Sequence, residues 1–194
     1  RLSRMNLPIN GYFQNWRYIE DVWPIMGPEF DQLLKSHLYK IQSSENHSCP
    51  KVVIHIRGGD FLDLDEHLGL LPLEYYKKAL SMMQDMGVHS KSIAIATNDQ
   101  EYAKTILRKL GIDEFQLLDP DKYTTWETLA ILSQAELVIC SNSTFSWWGG
   151  FLCVKNGGKC ISPDNWYRFK LRHSGVAMNH PEYKTVKNAF GNLK

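Results

Sequence analysis

From residue 52 onward, short apolar runs alternate with helical stretches, and this rhythm restricts the chain more than any other feature. The runs are "VVIHIR" (52–57), "SIAIATN" (92–98), "FQLL" (115–118), "ELVICSN" (136–142) and "KCIS" (159–162). Between them, "PLEYYKKALSMMQDMG" has Pro72 at a first-turn position and ends at Gly87. "NDQEYAKTILRKLG" pairs Asn98 with Glu101 at capping-box spacing and stops at Gly111, and "TTWETLAILSQA" repeats the device with Thr124 and Glu127. "STFSWWGGFLCVKNGG" runs from Ser143 to the pair Gly157 and Gly158. Such alternation predicts an α/β fold built on a doubly wound, parallel, Rossmann-like sheet with right-handed crossovers.

Residues 1–48 fall outside this rhythm. "NGYFQNWRYIEDVWPIM" is aromatic-rich, "FDQLLKSHLYKI" reads as an amphipathic helix, and "QSSENHSCP" reads as a linker ending at Pro50. The expectation is a remnant of a preceding domain plus linker over 1–48, and a second domain over 49–194. The start "RLSRMNLPIN" carries no initiating Met and no signal-peptide core, so the chain reads as a fragment.

Composition narrows the function classes. Twenty-two basic residues face 21 acidic ones, a net charge of +1, without long single-sign blocks, so no nucleic-acid footprint is expected. The four cysteines form no CxxC pair and have no histidine at zinc-finger spacing, so no metal site is expected. Cys140 and Cys160 lie in apolar runs and read as small buried hydrophobes. No apolar run approaches the length of a membrane span.

In a sheet of this kind, the loops leaving the strand carboxyl ends face a common crevice. The first run, with Val52, Val53, Ile54 and Ile56, reads as a strand covered on both faces. Arg57 stands where that strand emerges, and Gly58 and Gly59 let the backbone turn tightly and approach a ligand. The plainer reading is a surface arginine at an ordinary turn. Ser141, Asn142, Ser143 and Thr144 bring hydroxyl and amide groups to the start of a helix, where free N–H groups and the dipole favour an anion. One of them can simply cap that helix. Together with the planar fork of Arg57, this helix entry predicts a diphosphate cradle without metal. Asp99 can accept from a ribose or base, or complement its own helix dipole. Trp147 and Trp148 read as core, with Gly149 and Gly150 permitting close backbone approach. Asp60, Asp63, Asp65, Glu66 and His67 crowd the loop after the first strand, as general-base candidates or as a solvated acidic loop.

"GYFQNW", "HIRGGDF", "PLEYYKKAL" and "DKYTTWETLAILSQAELVICSNSTFSWWGGFL", in this order, resemble the family 11 glycosyltransferases, the α-1,2-fucosyltransferases. The likeness extends from about Gly11 to Tyr167. It implies a GT-B type fold with the amino-terminal domain largely missing, and a nucleotide-sugar-binding role for 49–194. It also implies GDP-fucose as donor, a galactose-containing glycan as acceptor, no cofactor or metal, and inversion at the anomeric carbon. His55 and Arg57 match the family's His-x-Arg-Arg-x-Asp, whose first Arg holds the diphosphate; Gly58 stands where the second Arg is usual. Arg57 and Asp60 are the catalytic candidates. His55, Arg57, Asp99, Ser141, Asn142, Ser143 and Thr144 are the donor-binding candidates. The alternative is a sugar-nucleotide or glycan-binding module that has lost catalysis. The expected location is the cytoplasm, or the inner face of a bacterial membrane as a peripheral protein; the other option is the Golgi lumen behind an upstream anchor.

Overall fold

The computed structural model describes residues 15–44, 49–90, 92–168 and 177–190. The first part of the expected amino-terminal remnant (1–14) and the middle of the expected linker (45–48) lie outside the described residues.

Six strands form one sheet: β1 (Val52–Ile56), β2 (Ile93–Thr97), β3 (Gln116–Leu118), β4 (Leu137–Ile139), β5 (Lys159–Pro163) and β6 (Lys184–Val186). Every pairing is parallel, and the order is β3-β2-β1-β4-β5-β6. The chain winds outward from β1 in one direction, then returns to start again at β4. The expected doubly wound α/β sheet is what forms.

The helices are α1 (Trp16–Ser44), α2 (Asp60–Asp63), α3 (Leu73–Asp85), α4 (Gln100–Leu110), α5 (Thr125–Ser133) and α6 (Thr144–Lys155). Alternate residues of each strand point to opposite faces. Val52, Ile54 and Ile56 therefore pack with Tyr75, Tyr76, Ala103 and Leu107 from α3 and α4. Val53, Val138 and Cys160 pack with Leu132, Phe151 and Leu38 from α5, α6 and α1. Burial on both faces explains why β1 reads as an unbroken apolar run.

Helix α6 reaches the sheet closely because of its glycines. A Cβ on Gly150 would lie 2.6 Å from Cys160 Sγ, and one on Gly149 would collide with Leu132. Trp147 is buried, stacks on Phe151 at 5.3 Å, and donates its indole N–H to Met178 O at 2.6 Å. It is a core residue, as expected.

Helix α1 and strand β6 add to the sequence reading. Pro24 and Pro28 sit inside a helix of 29 residues, where the sequence pattern marks only its second half as helical. Trp16, Ile19, Trp23, Phe30, Leu34, Leu38 and Ile41 form its inward stripe and join the core of α5 and α6. Strand β6 escapes notice because Lys184 and Thr185 are exposed and only Val186 is buried.

Candidate functional site

The sheet changes direction between β1 and β4, and open α/β sheets bind ligands outside the carboxyl ends of strands at such a point. Ile54 stands opposite Ile139. The chain continues from there into His55, Ile56 and Arg57 on one side and Cys140, Ser141 and Asn142 on the other. Adjacent strands lie about 4.8 Å apart, so the two exits leave the sheet side by side. A 2.7 Å hydrogen bond between His55 Nδ1 and Ser141 Oγ joins them directly.

His55 is buried, and Phe145 from the first turn of α6 lies 5.6 Å from its ring. Burial, reinforced by the Arg57 charge, lowers its pKa to about 3, so the imidazole is neutral at pH 7. Its role is to tie the β1 exit to the β4 exit as an uncharged hydrogen-bonding partner.

Arg57 is three-quarters buried, with 25% of its side chain exposed. Its Nη2 donates to Asp60 Oδ2 at 2.9 Å and lies 2.8 Å from Oδ1. The guanidinium carbon sits 5.1 Å from the Phe61 ring centroid. Nε is buried and has no hydrogen-bond partner. A buried donor left unsatisfied is costly, and here it belongs to a permanent cation at a switch-point crevice. It is a donor suited to an incoming oxyanion. Asp60, the family motif's acid, serves to set the fork of Arg57.

Ser143 is the N-cap of α6, yet its hydroxyl makes no capping bond. The first intrahelical bond runs from Trp147 N–H to Ser143 O at 2.9 Å, so the N–H groups of residues 144–146 have no partner within the helix. Thr144 is exposed in that first turn. Ser146, absent from the candidates read in the sequence, closes the turn by donating its hydroxyl to Ser141 O at 2.9 Å. Ser141 is fully buried on His55.

The remaining candidates are occupied within the fold. Asn142 Nδ2 lies within bonding distance of Leu68 O (3.1 Å), Gly69 O (2.8 Å) and Trp166 O (3.1 Å), stapling three loops together. Asp99, rather than Asn98, is the N-cap of α4: Oδ1 accepts from Tyr102 N–H at 3.0 Å, and Oδ2 accepts from Gly59 N–H at 3.0 Å. Of its two readings, the structural one describes what the carboxylate does here. Asp65 binds Arg168 at 2.8 Å and accepts from Leu70 N–H at 2.6 Å. Burial pushes its pKa up, but these contacts more than offset that and hold the carboxyl below its ordinary range. Asp63 and Glu66 are exposed.

Gly58 and Gly59 do allow a tight turn, with Gly59 at φ +55°. Their close approach, however, is to the protein itself: a Cβ on Gly58 would lie 2.8 Å from Tyr102 Cδ1, and one on Gly59 would lie 2.7 Å from Asn98 Nδ2. Glycines in such a motif cannot reveal from sequence which partner they approach.

An arginine on the loop leaving β1 and a helix amino end after β4, their strand exits tied by the His55–Ser141 bond, make a carboxyl-edge switch point of the Rossmann type. A family model for glycosyl transferase family 11 matches residues 10–185, and the chain belongs to that family. It is 26% identical over 134 residues to the O-antigen biosynthesis glycosyltransferase WbnK of Escherichia coli, covering 68% of this chain and 43% of that protein. It is 27% identical over 168 residues to an alpha-1,2-colitosyltransferase of Escherichia coli, covering 81% of this chain and 55% of that protein. The chain spans about half the length of these curated relatives. Among solved structures, the apo form of POFUT1 aligns with a TM-score of 0.46 at 18% identity, over 66% of this chain and 45% of that one. POFUT1 in complex with GDP-fucose aligns at 0.42 and 19% identity, over 61% and 41%.

Proposed function

We propose that this chain forms the donor side of an inverting, metal-independent glycosyltransferase of the GT-B type. In this reading it moves fucose from GDP-fucose to O2 of a terminal galactose in a glycan. The observation that carries the proposal is the buried, unpartnered Nε of Arg57 on the β1 exit, which the His55–Ser141 bond ties to the β4 exit leading into the uncapped first turn of α6. In this reading residues 49–194 hold the donor, with α1 packed into the same core through α5 and α6. With both curated relatives from Escherichia coli, and one named for O-antigen biosynthesis, we place the protein in the cytoplasm or peripherally on the inner membrane face. No described helix is long and apolar enough to cross a membrane.

In an inverting transfer the acceptor hydroxyl attacks the anomeric carbon opposite the departing diphosphate, through an oxocarbenium-like transition state. Negative charge builds on the leaving group. Arg57 Nε and the N–H groups of the α6 first turn would meet it, fixed in place before reaction. Losing one such donor typically costs about 3 kcal/mol of barrier, on the order of a hundredfold in rate. The general base comes from the acceptor side or the exposed part of the 60–67 loop.

Titrating GDP into the protein and into Arg57→Ala at fixed ionic strength tests this reading. Affinity should fall roughly tenfold or more in the variant, the worth of a hydrogen bond to a charged group. Equal affinities would remove the phosphate role. A donor panel of GDP-fucose, GDP-mannose, UDP-sugars and a colitosyl donor, run with and without chelator, then fixes the sugar and the metal requirement. The colitosyl donor is included because one relative is named for that transfer.

A further inference from the structure

Asn98 directly follows β2 at the carboxyl edge, and both ends of its carboxamide are in use. Oδ1 accepts from Gly58 N–H at 3.1 Å. Nδ2 donates to Gly58 O at 3.3 Å and to Asp60 Oδ1 at 3.1 Å. That Asp60 oxygen also lies 2.8 Å from Arg57 Nη2. One amide therefore holds the backbone on which Arg57 rides and the carboxylate that sets its fork. The adjacent bond from Gly59 N–H to Asp99 Oδ2 extends the same clamp.

We propose that Asn98 is the positioning residue of the anion cradle, orienting Arg57 through Asp60 and Gly58 so that Nε is presented to the ligand. This rests on reading Arg57 as the diphosphate-binding group. Helix capping does not account for Asn98, because Asp99 caps α4. Core packing does not account for it either, because Asn98 is exposed. The loop it holds contains two consecutive glycines, one at φ +55°, and such a segment has little rigidity of its own. With Asp60 drawn onto Nη2, the guanidinium is held at that nitrogen, while the neighbouring Nε–H stays unpartnered. Pre-set donors of this kind are worth more than mobile ones, since their ordering cost is met during folding.

A double-mutant cycle with GDP as the probe tests the assignment. Asn98→Ala should weaken binding on the order of tenfold in the wild-type background and leave the weaker binding of Arg57→Ala unchanged. The same loss in both backgrounds would overturn the proposal. Asn98→Asp keeps the shape and the acceptor for Gly58 N–H but removes the donor to Asp60, and it should behave like Asn98→Ala.

A second measurement needs no nucleotide. In ¹H–¹⁵N spectra the Arg57 Nε–H signal should exchange slowly with water in the wild type and rapidly in Asn98→Ala, with melting temperature little changed. An unaltered Arg57 signal would sink the positioning role whatever GDP does. Absence of GDP binding by the wild type, with the spectral change intact, would instead refute the donor reading and leave the clamp standing.

Discussion

Replacing Gly58 by alanine tests whether the turn after β1 is shaped by contact with the protein itself. A methyl group at this position falls 2.8 Å from Tyr102 Cδ1, 3.0 Å from Tyr102 Cγ and 3.0 Å from Asp99 Cβ. None of these is the free tip of a flexible side chain: the tyrosine atoms lie at the root of the ring, and Asp99 is fixed as the α4 cap. The backbone of 58–60 must move, stretching the bonds from Gly58 N–H to Asn98 (3.1 Å) and from Gly59 N–H to Asp99 (3.0 Å). Inserting a methyl into such close packing costs about 1–3 kcal/mol. In a protein of this size each kcal/mol lowers Tm by about 2–4 °C. Gly58→Ala should therefore melt roughly 2–12 °C lower and bind GDP less tightly. Thermal melts of wild type, Gly58→Ala, Tyr102→Ala and the double variant form a cycle in which the penalty at 58 shrinks once Tyr102 is gone. An unchanged Tm for Gly58→Ala, or an equal penalty with and without Tyr102, would refute the packing account. By the same geometry Gly58→Arg, which restores the residue usual in the family, should weaken GDP binding rather than strengthen it.

His55 stays neutral in the fold down to about pH 3 but takes up a proton near 6.5 when unfolded, so between these values the unfolded chain binds more protons and stability rises with pH. Acidification from 6.5 toward 3 should cost up to about 1.4 kcal/mol per pH unit from this group; urea melts at pH 4, 5, 6 and 7 should show a slope shallower by that amount in His55→Asn, and parallel slopes would contradict it. Asn142→Ala removes the staple between residues 68, 69 and 166 and leaves buried carbonyls short of a donor, a loss of about 2 kcal/mol or more, read as a lower urea midpoint. An unshifted midpoint would place the three loops under some other control.

What was legible in the sequence is what burial writes as a period. The strands β1, β2, β4 and β5 are covered on both faces, so their runs stand out, and the box of Thr124 and Glu127 forms as its spacing promises. The long α1 is not legible from its punctuation. Two internal prolines, each costing a helix about 3 kcal/mol, argue for a break, but the inward stripe from Trp16 to Ile41 runs past both. Packing overrides local preference there. At the crevice, the residue types were legible and their allegiances were not. Asn142 and Asp99, read in the sequence as ligand contacts, hold loops together here, whereas Asn98 looks like a cap and braces the arginine. Polar side chains near a sheet edge can serve ligand or fold equally well, and only the distances separate the two.

The local charge count shows why a single arginine needs so fixed a setting. Asp60 pairs with Arg57 and His55 is neutral at pH 7, so these three side chains together bring almost no net charge to the crevice. What can recognise an anion is a set of directed donors: Arg57 Nε and the first-turn N–H groups of α6, whose dipole is equivalent to about half a charge. A net charge attracts from any direction, but a hydrogen bond weakens steeply once its angle is lost. An arginine free on a Gly-Gly loop would also give up about 2 kcal/mol of rotamer entropy on binding. Bracing from β2 avoids that cost and keeps the angle. With glycine at 58 the turn after β1 brings no second cation beside Arg57, so within that turn alignment comes from Asn98 and Asp60.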